Sequence, residues 1–155
     1  MEKTKIDNGK FVISLDFELM WGVRDIETVE SYGENLRGVH QVVPRLLETF
    51  DNHQIRATFS TVGFLFFQNK IELLNNLPTR LPNYSNKKLS PYLGYFELVG
   101  ANSKIDPYHY APDLIKLIQQ YPQHEIGSQT FSHYYCLEDG QDKDDFEADL
   151  QNAVV

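Results

Sequence analysis

The chain has 155 residues, of which 41% are hydrophobic and 23% are charged, which is typical of a single globular domain. The formal net charge of −8, with no run of Lys or Arg, excludes nucleic acid and anionic membranes as main partners. No segment has the roughly 20 apolar residues of a membrane span, the N-terminus lacks the apolar stretch of a signal peptide, and a lone Cys136 excludes an internal disulfide. We therefore expect a cytoplasmic protein.

The first predicted elements are a strand and a long helix. Residues 10–16 form a short apolar run that ends in a carboxylate, typical of a buried strand. Asn35 is expected to cap the following helix, because apolar residues recur at helical spacing from Val39 to Phe50. Pro44 should kink this helix or delay its start.

The next segments repeat the strand-then-helix order around a long irregular stretch. Residues 55–61 predict a second strand and residues 62–74 a second helix. Residues 77–107, which hold four prolines, predict an excursion with little regular structure. Pro112 is expected to start a further helix, and residues 124–128 a short third strand.

A last helix is predicted to begin at Phe146. This β-α order favours an α/β fold with a parallel sheet and right-handed crossovers. Because a closed α/β barrel needs about 200 residues or more, the sheet is either open or the N-terminal portion of a larger domain. An unclosed sheet exposes its edges, so we predict that the chain self-associates or depends on further residues.

Two carboxylates follow the first predicted strand, at the edge where α/β sheets place their active sites. Side chains alternate along a strand, so Asp16 and Glu18 are expected to face the same way. Such a pair can divide the work of a base and a metal ligand. An N-capping aspartate and a solvated glutamate are the alternative.

A second group follows the third predicted strand. Gln129 and His133 stand at i and i+4, a spacing that brings two side chains together. Two histidines here would make a zinc half-site, whereas a lone His133 is more often a hydrogen-bonded structural residue. His109 either lines the cleft or fixes a loop, and Trp21 either stacks on a sugar or plugs the mouth of the barrel.

Three segments together resemble the polysaccharide deacetylase superfamily, the NodB-homology or carbohydrate esterase family 4 group. Residues 11–25 resemble its first motif in an Asp-x-Glu variant. Residues 56–63 resemble its second strand, and residues 124–133 resemble its His-(Ser/Thr)-x-x-His zinc motif. The order and spacing agree over nearly the whole chain, so residues 1–155 are expected to form part of such a domain, with the irregular insertion at about 77–107.

The resemblance implies a distorted (β/α)7 barrel that hydrolyses N- or O-acetyl groups on sugars, with a divalent metal, usually zinc, as cofactor. Asp16 would be the catalytic base, and Glu18 and His133 would be metal ligands. The metal would polarise the acetyl carbonyl and bind the attacking water. Trp21, which could stack on a sugar, and Thr130 are the candidate substrate-binding residues.

One position departs from the family motif, because Gln129 replaces its first metal-binding histidine. Catalytic zinc normally has three good protein ligands. One hypothesis is therefore a metal-dependent deacetylase present in a truncated or inactive form, and the other is a non-catalytic carbohydrate-binding or scaffolding relative. An unrelated open α/β binding protein, in which Asp16 and His133 lie far apart, is a third.

Overall fold

The computed structural model describes residues 9–153. Its strands are β1 (Ser14–Phe17), β2 (Thr58–Thr61) and β3 (Glu125–Ser128), and its α-helices are α1 (Val29–Asn52), α2 (Lys70–Asn75), α3 (Pro112–Gln119) and α4 (Lys143–Ala153). Short 3-10 helices lie at Leu19–Gly22, Gly63–Phe66, Lys87–Leu89 and Tyr95–Glu97. The mixed α/β class is confirmed, whereas closure into a (β/α)7 barrel stays a prediction.

The strands of the described residues form one parallel sheet in the order β1-β2-β3. Leu15, Phe59 and Ile126 are aligned across the sheet, and their face packs into the core. The residues of the opposite face are polar or small and at least partly exposed: Ser14, Asp16, Thr58, Ser60, Glu125 and Gly127. The sheet therefore has a covered apolar face and an open polar face.

Strand β1 is shorter than predicted. It begins at Ser14, while the side chains of Phe11 and Val12 are 90% and 75% exposed. The paired part of β2 begins at Thr58, which is aligned with Ser14, so the earlier residues have no strand beside them. The apolar run of the sequence therefore begins before the first residue of β1 that pairs with β2.

Helix α1 begins earlier than the apolar periodicity indicates, and the prediction of an Asn35 cap is wrong. Thr28 caps the helix, because its hydroxyl accepts from Ser31 N while the Ser31 hydroxyl accepts from Thr28 N. The helix also runs through Pro44. Burial of its apolar face in the core offsets the hydrogen bond that proline cannot donate.

The predicted second helix is two shorter pieces, the 3-10 helix Gly63–Phe66 and α2. The segment between α2 and α3 has no regular structure beyond the two 3-10 helices already given. Helix α3 starts at Pro112 as predicted. Within residues 9–153 no helix is both long and apolar enough to cross a membrane, and the cytoplasmic location stays a prediction.

Candidate active site

Glu18 leaves the sheet directly after β1. Its backbone has φ −137° and ψ −13°, and it caps the 3-10 helix Leu19–Gly22. The strand alternation from which Asp16 and Glu18 were expected to share a face therefore ends before Glu18. Leu19 has φ 46°, a left-handed conformation that is uncommon for a residue other than glycine.

The structure brings together two of the predicted metal ligands. His133 Nε2 lies 2.8 Å from Glu18 Oε2, and the side chains are 21% and 22% exposed. In the described part of the chain, Glu18 Oε2 has no neighbour for a hydrogen bond other than this imidazole nitrogen, and His133 Nδ1 is buried without a hydrogen-bond partner. The carboxyl ends of β1 and β3 thus place a carboxylate and an imidazole at one point, although β2 lies between these strands.

The loop that carries His133 has an unusual backbone. Thr130 and His133 have φ values of 63° and 56°. With Leu19, they make up three of the four non-glycine residues with positive φ between residues 9 and 153, the other being Gln54. Left-handed residues persist where surrounding contacts hold them, and they often cluster at functional sites. Here they flank the contact between Glu18 and His133.

Thr130 shapes this loop through its hydroxyl. Thr130 Oγ1 donates to Gln129 O at 2.5 Å and accepts from Tyr134 N at 2.8 Å. The backbone carbonyl of Thr130 accepts from Gly63 N at 3.0 Å, which ties the loop to the end of β2. Its assignment to substrate binding stays a prediction, since the hydroxyl is already engaged within the loop.

Asp149 of α4 anchors the same loop and was not found from the sequence. Its Oδ1 accepts from Phe131 N at 2.8 Å and from Ser132 N at 3.4 Å, and its Oδ2 accepts from the Ser132 hydroxyl. Asp149 is 1% exposed, and burial raises the pKa of its carboxyl although these hydrogen bonds act to lower it. The only sequence signal is its i, i+4 spacing from Asp145, which is also buried.

Gln129 lies beside His133 in a small cavity of about 220 Å³ that Ser128, Thr130 and Tyr134 also line. Its backbone N–H donates to Thr61 O at 2.9 Å, which continues the β2–β3 ladder. Position 129, where the family motif has a histidine, therefore lies beside His133 at the candidate site.

Asp16 lies on the open polar face of the sheet, aligned with Ser60 of β2. Among residues 9–153, no third histidine, cysteine, aspartate or glutamate joins Glu18 and His133 in a group that could hold a metal. Glu18 Oε2 and His133 Nε2, which lie 2.8 Å apart, are both atoms that can bind a divalent cation. The cation would have fewer strong protein ligands than a catalytic zinc normally has.

Trp21 is a core residue in this structure, which corrects its assignment to sugar stacking. Its side chain is fully buried, and its indole N–H donates to His109 O at 2.9 Å. The ring packs against Phe64, with ring centroids 4.5 Å apart. A sugar has no access to the ring. The burial of Trp21 therefore favours a packing role over stacking on a sugar.

Arg24 and Tyr135 lie behind His133 and were not found from the sequence. The Arg24 guanidinium donates to Trp21 O at 2.7 Å and to Leu89 O at 2.6 Å. It lies 5.5 Å from the centroid of the Tyr135 ring, which packs edge-on against His133 at 5.3 Å. Arg24 is therefore in a position to support the imidazole through Tyr135.

The sequence profile of the polysaccharide deacetylase family matches residues 7–154. The chain belongs to this family and so to the NodB-homology superfamily, which is consistent with a hydrolase that acts on carbohydrate. The comparisons found no match among curated proteins or solved structures. Family membership removes the hypothesis of an unrelated α/β binding protein.

Proposed function

We propose that this chain is a hydrolase that removes acetyl groups from N- or O-acetylated sugars or polysaccharides. The contact between Glu18 Oε2 and His133 Nε2 carries the proposal, because it joins the two family motifs at the carboxyl end of the sheet. Membership of the deacetylase family supports the reaction and the carbohydrate substrate.

Asp16 has the role of catalytic base in this proposal. It stands on the open polar face, so its carboxylate is free to take a proton from a water molecule above the sheet. Glu18 and His133 would hold a divalent metal, and Gln129 offers a weaker amide oxygen beside them. When bound, the metal would supply the Lewis acidity that polarises an acetyl carbonyl.

Contacts within the chain fix the geometry of the site. Asp149 fixes the backbone on the N-terminal side of His133, and the Tyr135 ring packs against the imidazole. Gly22 leaves room for the Glu18 carboxylate. These contacts favour one orientation of the Glu18–His133 pair before any ligand binds.

The fold supports the inference of an N-terminal part of a distorted (β/α)7 barrel. Helices cover the apolar face of a parallel sheet whose strands follow chain order, as on the outside of such a barrel. The polar face that includes Ser14, Asp16 and Ser60 would face the barrel interior. We infer that the unpaired edges of this sheet, at β1 and β3, pair with further barrel strands or with a second copy of the chain, which makes self-association an expected property.

A non-catalytic carbohydrate-binding or scaffolding relative is the second candidate. The observation that favours it is Gln129, together with the lack of a third strong ligand beside Glu18 and His133 in the described part of the chain. Such a relative would keep the fold and the ability to bind sugars but would not hydrolyse them.

Acetate release from an oligomer of N-acetylglucosamine, in the presence of zinc or cobalt, distinguishes the two candidates. The deacetylase predicts release by the wild type and its loss in Asp16→Asn. Ser14→Ala, on the same polar face, is the matched control and should keep the activity. Saturable binding of the oligomer with no acetate released would favour the non-catalytic relative.

A further inference from the structure

A segment between α2 and α3 holds the turn that carries Glu18. The backbone N–H of Met20 donates to Tyr108 O at 3.0 Å, and the indole N–H of Trp21 donates to His109 O at 2.9 Å. The backbone N–H of Trp21 in turn donates to Glu18 O at 3.0 Å. Two neighbouring carbonyl groups, 88 residues further along the chain than their donors, therefore fix the turn directly after β1.

Leu19 makes this support necessary. It has φ 46°, a left-handed conformation that a residue with a side chain keeps only where surrounding contacts hold it. The bonds of Met20 and Trp21 are such contacts, because they hold the chain directly after Leu19. Glu18 lies directly before it and places its Oε2 2.8 Å from His133 Nε2. A shift of the turn would therefore move the carboxylate relative to the imidazole.

Asp106 holds the two acceptor carbonyls in place. Its Oδ1 accepts from Tyr108 N at 3.1 Å and from His109 N at 3.2 Å. Its Oδ2 accepts from Gly100 N at 2.6 Å. The N–H of His109 and the carbonyl of Tyr108 belong to one planar trans peptide unit and point in opposite directions. The N–H that Asp106 holds therefore directs the Tyr108 carbonyl towards Met20 N.

Asp106 is a buried and ionised acceptor, 5% exposed. Burial acts to raise the pKa of its carboxyl, but the hydrogen bonds from His109, Gly100 and Tyr108 outweigh burial and lower the pKa. A carboxylate can only accept, so His109 Nδ1, 2.8 Å from Asp106 Oδ2, is the donor. Hydrogen bonds to an ionised acceptor are roughly twice as strong as those between neutral groups. Of the two roles expected for His109, the structure favours fixing a loop, since the residue is 1% exposed.

We propose that Asp106 is a positioning residue for Glu18. It acts through the backbone carbonyls of Tyr108 and His109, which hold the turn, and the turn directs the Glu18 carboxylate to His133. A positioning residue of this kind raises metal affinity without binding the metal. The inference rests on the proposed function, which gives Glu18 the role of a metal ligand.

A buried aspartate of α4 has the equivalent role for the other candidate ligand. Asp149 accepts from the backbone N–H groups of Phe131 and Ser132, in the loop that carries His133. Asp106 and Asp149 thus each hold one of the two segments that meet at the site, and both are at most 5% exposed. The candidate site therefore depends on two distant carboxylates that sequence spacing does not connect.

NMR of the metal-free protein tests the positioning directly. Trp21 is the one tryptophan of the chain, so its indole N–H gives a single signal. In Asp106→Asn we expect hydrogen exchange of this N–H to be roughly three- to tenfold faster. The ¹⁵N signal of His133 Nε2 should also shift, because the Glu18 carboxylate moves away from it. Asparagine is a poor substitute, since its NH2 group would face a backbone N–H that now has an acceptor.

Zinc titration of the same variants adds a second readout. Asp106→Asn should bind zinc roughly three- to tenfold more weakly than the wild type. Asp144→Asn, whose side chain is 70% exposed, is the matched control and should leave the zinc affinity and both NMR measurements unchanged. Ile118→Val is the control for lost stability. Residue 118 is 1% exposed in the core, so this change should lower the unfolding temperature without altering the site.

Two variants of His109 apply if Asp106→Asn does not fold. His109→Ala removes the side-chain donor to Asp106, whereas His109→Asn keeps an N–H near the position of Nδ1. The imidazole packs on the Trp21 ring at 5.1 Å, so its loss alone changes the chemical shift of the indole, and the exchange rate is the readout. We expect faster exchange and weaker zinc binding in His109→Ala, and values close to those of the wild type in His109→Asn.

A folded Asp106→Asn with the indole exchange rate, the His133 signal and the zinc affinity of the wild type would overturn the proposal. Changes of equal size in Ile118→Val would do the same, as would equal effects of the two His109 variants. A wild type that binds no zinc would count against the proposed function alone. The NMR measurements need no metal and still decide whether Asp106 positions Glu18.

Discussion

Gly22 gives the Glu18 carboxylate the space that it occupies. A Cβ at position 22 would lie 2.6 Å from Glu18 Oε2 and 2.7 Å from Glu18 Oε1, distances that real Cβ atoms essentially never show. The carboxylate ends a flexible side chain, so it would move away from an added methyl group and from His133. The glycine is thus needed for the geometry of the pair more than for the fold.

Gly22→Ala should therefore lower the affinity for cobalt or zinc about tenfold or more while the free energy of unfolding changes little. Titration calorimetry and thermal unfolding measure the two effects. Gly38→Ala is the matched control, because a Cβ at Gly38 of α1 has no atom within 4 Å. That change should leave metal affinity alone and stabilise the helix by up to about 1 kcal/mol. Unchanged metal affinity in Gly22→Ala would show that the carboxylate is not a ligand.

Asp149→Asn should destabilise the protein by about 1–3 kcal/mol, because the amide cannot replace both acceptor oxygens used by Phe131 N and the Ser132 hydroxyl. Denaturant unfolding at neutral pH measures the effect. Asp144→Asn, on the same helix with a side chain 70% exposed, should be nearly neutral. An equal effect of both changes would argue against an anchoring role.

The raised pKa of Asp149 gives its contribution a definite pH dependence. Burial raises this pKa above the usual 3.8, so the folded state binds the proton more tightly than the unfolded chain. The resulting stabilisation is present below pH 3.8 and is lost as the pH rises through the folded value. The stability advantage of wild type over Asp149→Asn should thus be larger in acid than at pH 7. The opposite trend in the unfolding curves would mean a lowered pKa.

Gly63→Ala should disturb the loop that carries His133. A Cβ at Gly63 would lie 2.5 Å from Phe131 Cδ2 and 2.9 Å from Phe131 Cα, so backbone atoms would have to shift. We expect a loss of about 1–3 kcal/mol in the free energy of unfolding, together with weaker metal binding. An unchanged free energy of unfolding in this variant would mean that Phe131 packs less closely on Gly63 than these distances indicate.

Trp21→Phe should destabilise the core without affecting sugar binding. The change removes the hydrogen bond to His109 O and leaves unfilled volume, which together cost about 1–4 kcal/mol. Thermal unfolding and oligomer titration are the measurements. Lower sugar affinity at unchanged stability would restore the stacking role that the burial of Trp21 argues against.

The sheet and the general place of the site could be predicted because they follow from local signals. A short apolar run located β1, alternation of side chains within residues 55–61 located β2, and Pro112 marked the start of α3. The strand predicted at residues 124–128 contains β3. Parallel strands end at one edge, which is how Glu18 and His133 were expected to meet. The start of α1 was missed because its first turn is mostly polar, and its Thr28–Ser31 capping box has Ser where Glu or Gln is usual.

The supporting residues could not be predicted in the same way. Asp149 stands in an acidic helix and has the pattern of a solvated residue, and its burial depends on the loop that folds over it. Arg24 and Trp21 lie within the first motif, yet their partners Leu89 and His109 lie between α2 and α3, in a part of the chain whose path has no periodic signal. Long-range contacts of this kind depend on tertiary packing and not on spacing along the chain.

Zinc titration of the wild type, Glu18→Gln and Gln129→His is the most direct test of a divalent-metal site at Glu18 and His133. We predict that the wild type binds one zinc ion weakly, that Glu18→Gln abolishes this binding, and that Gln129→His strengthens it by about tenfold or more, because imidazole is a better zinc ligand than an amide. Binding that is insensitive to Glu18→Gln, or no gain in Gln129→His, would contradict the account.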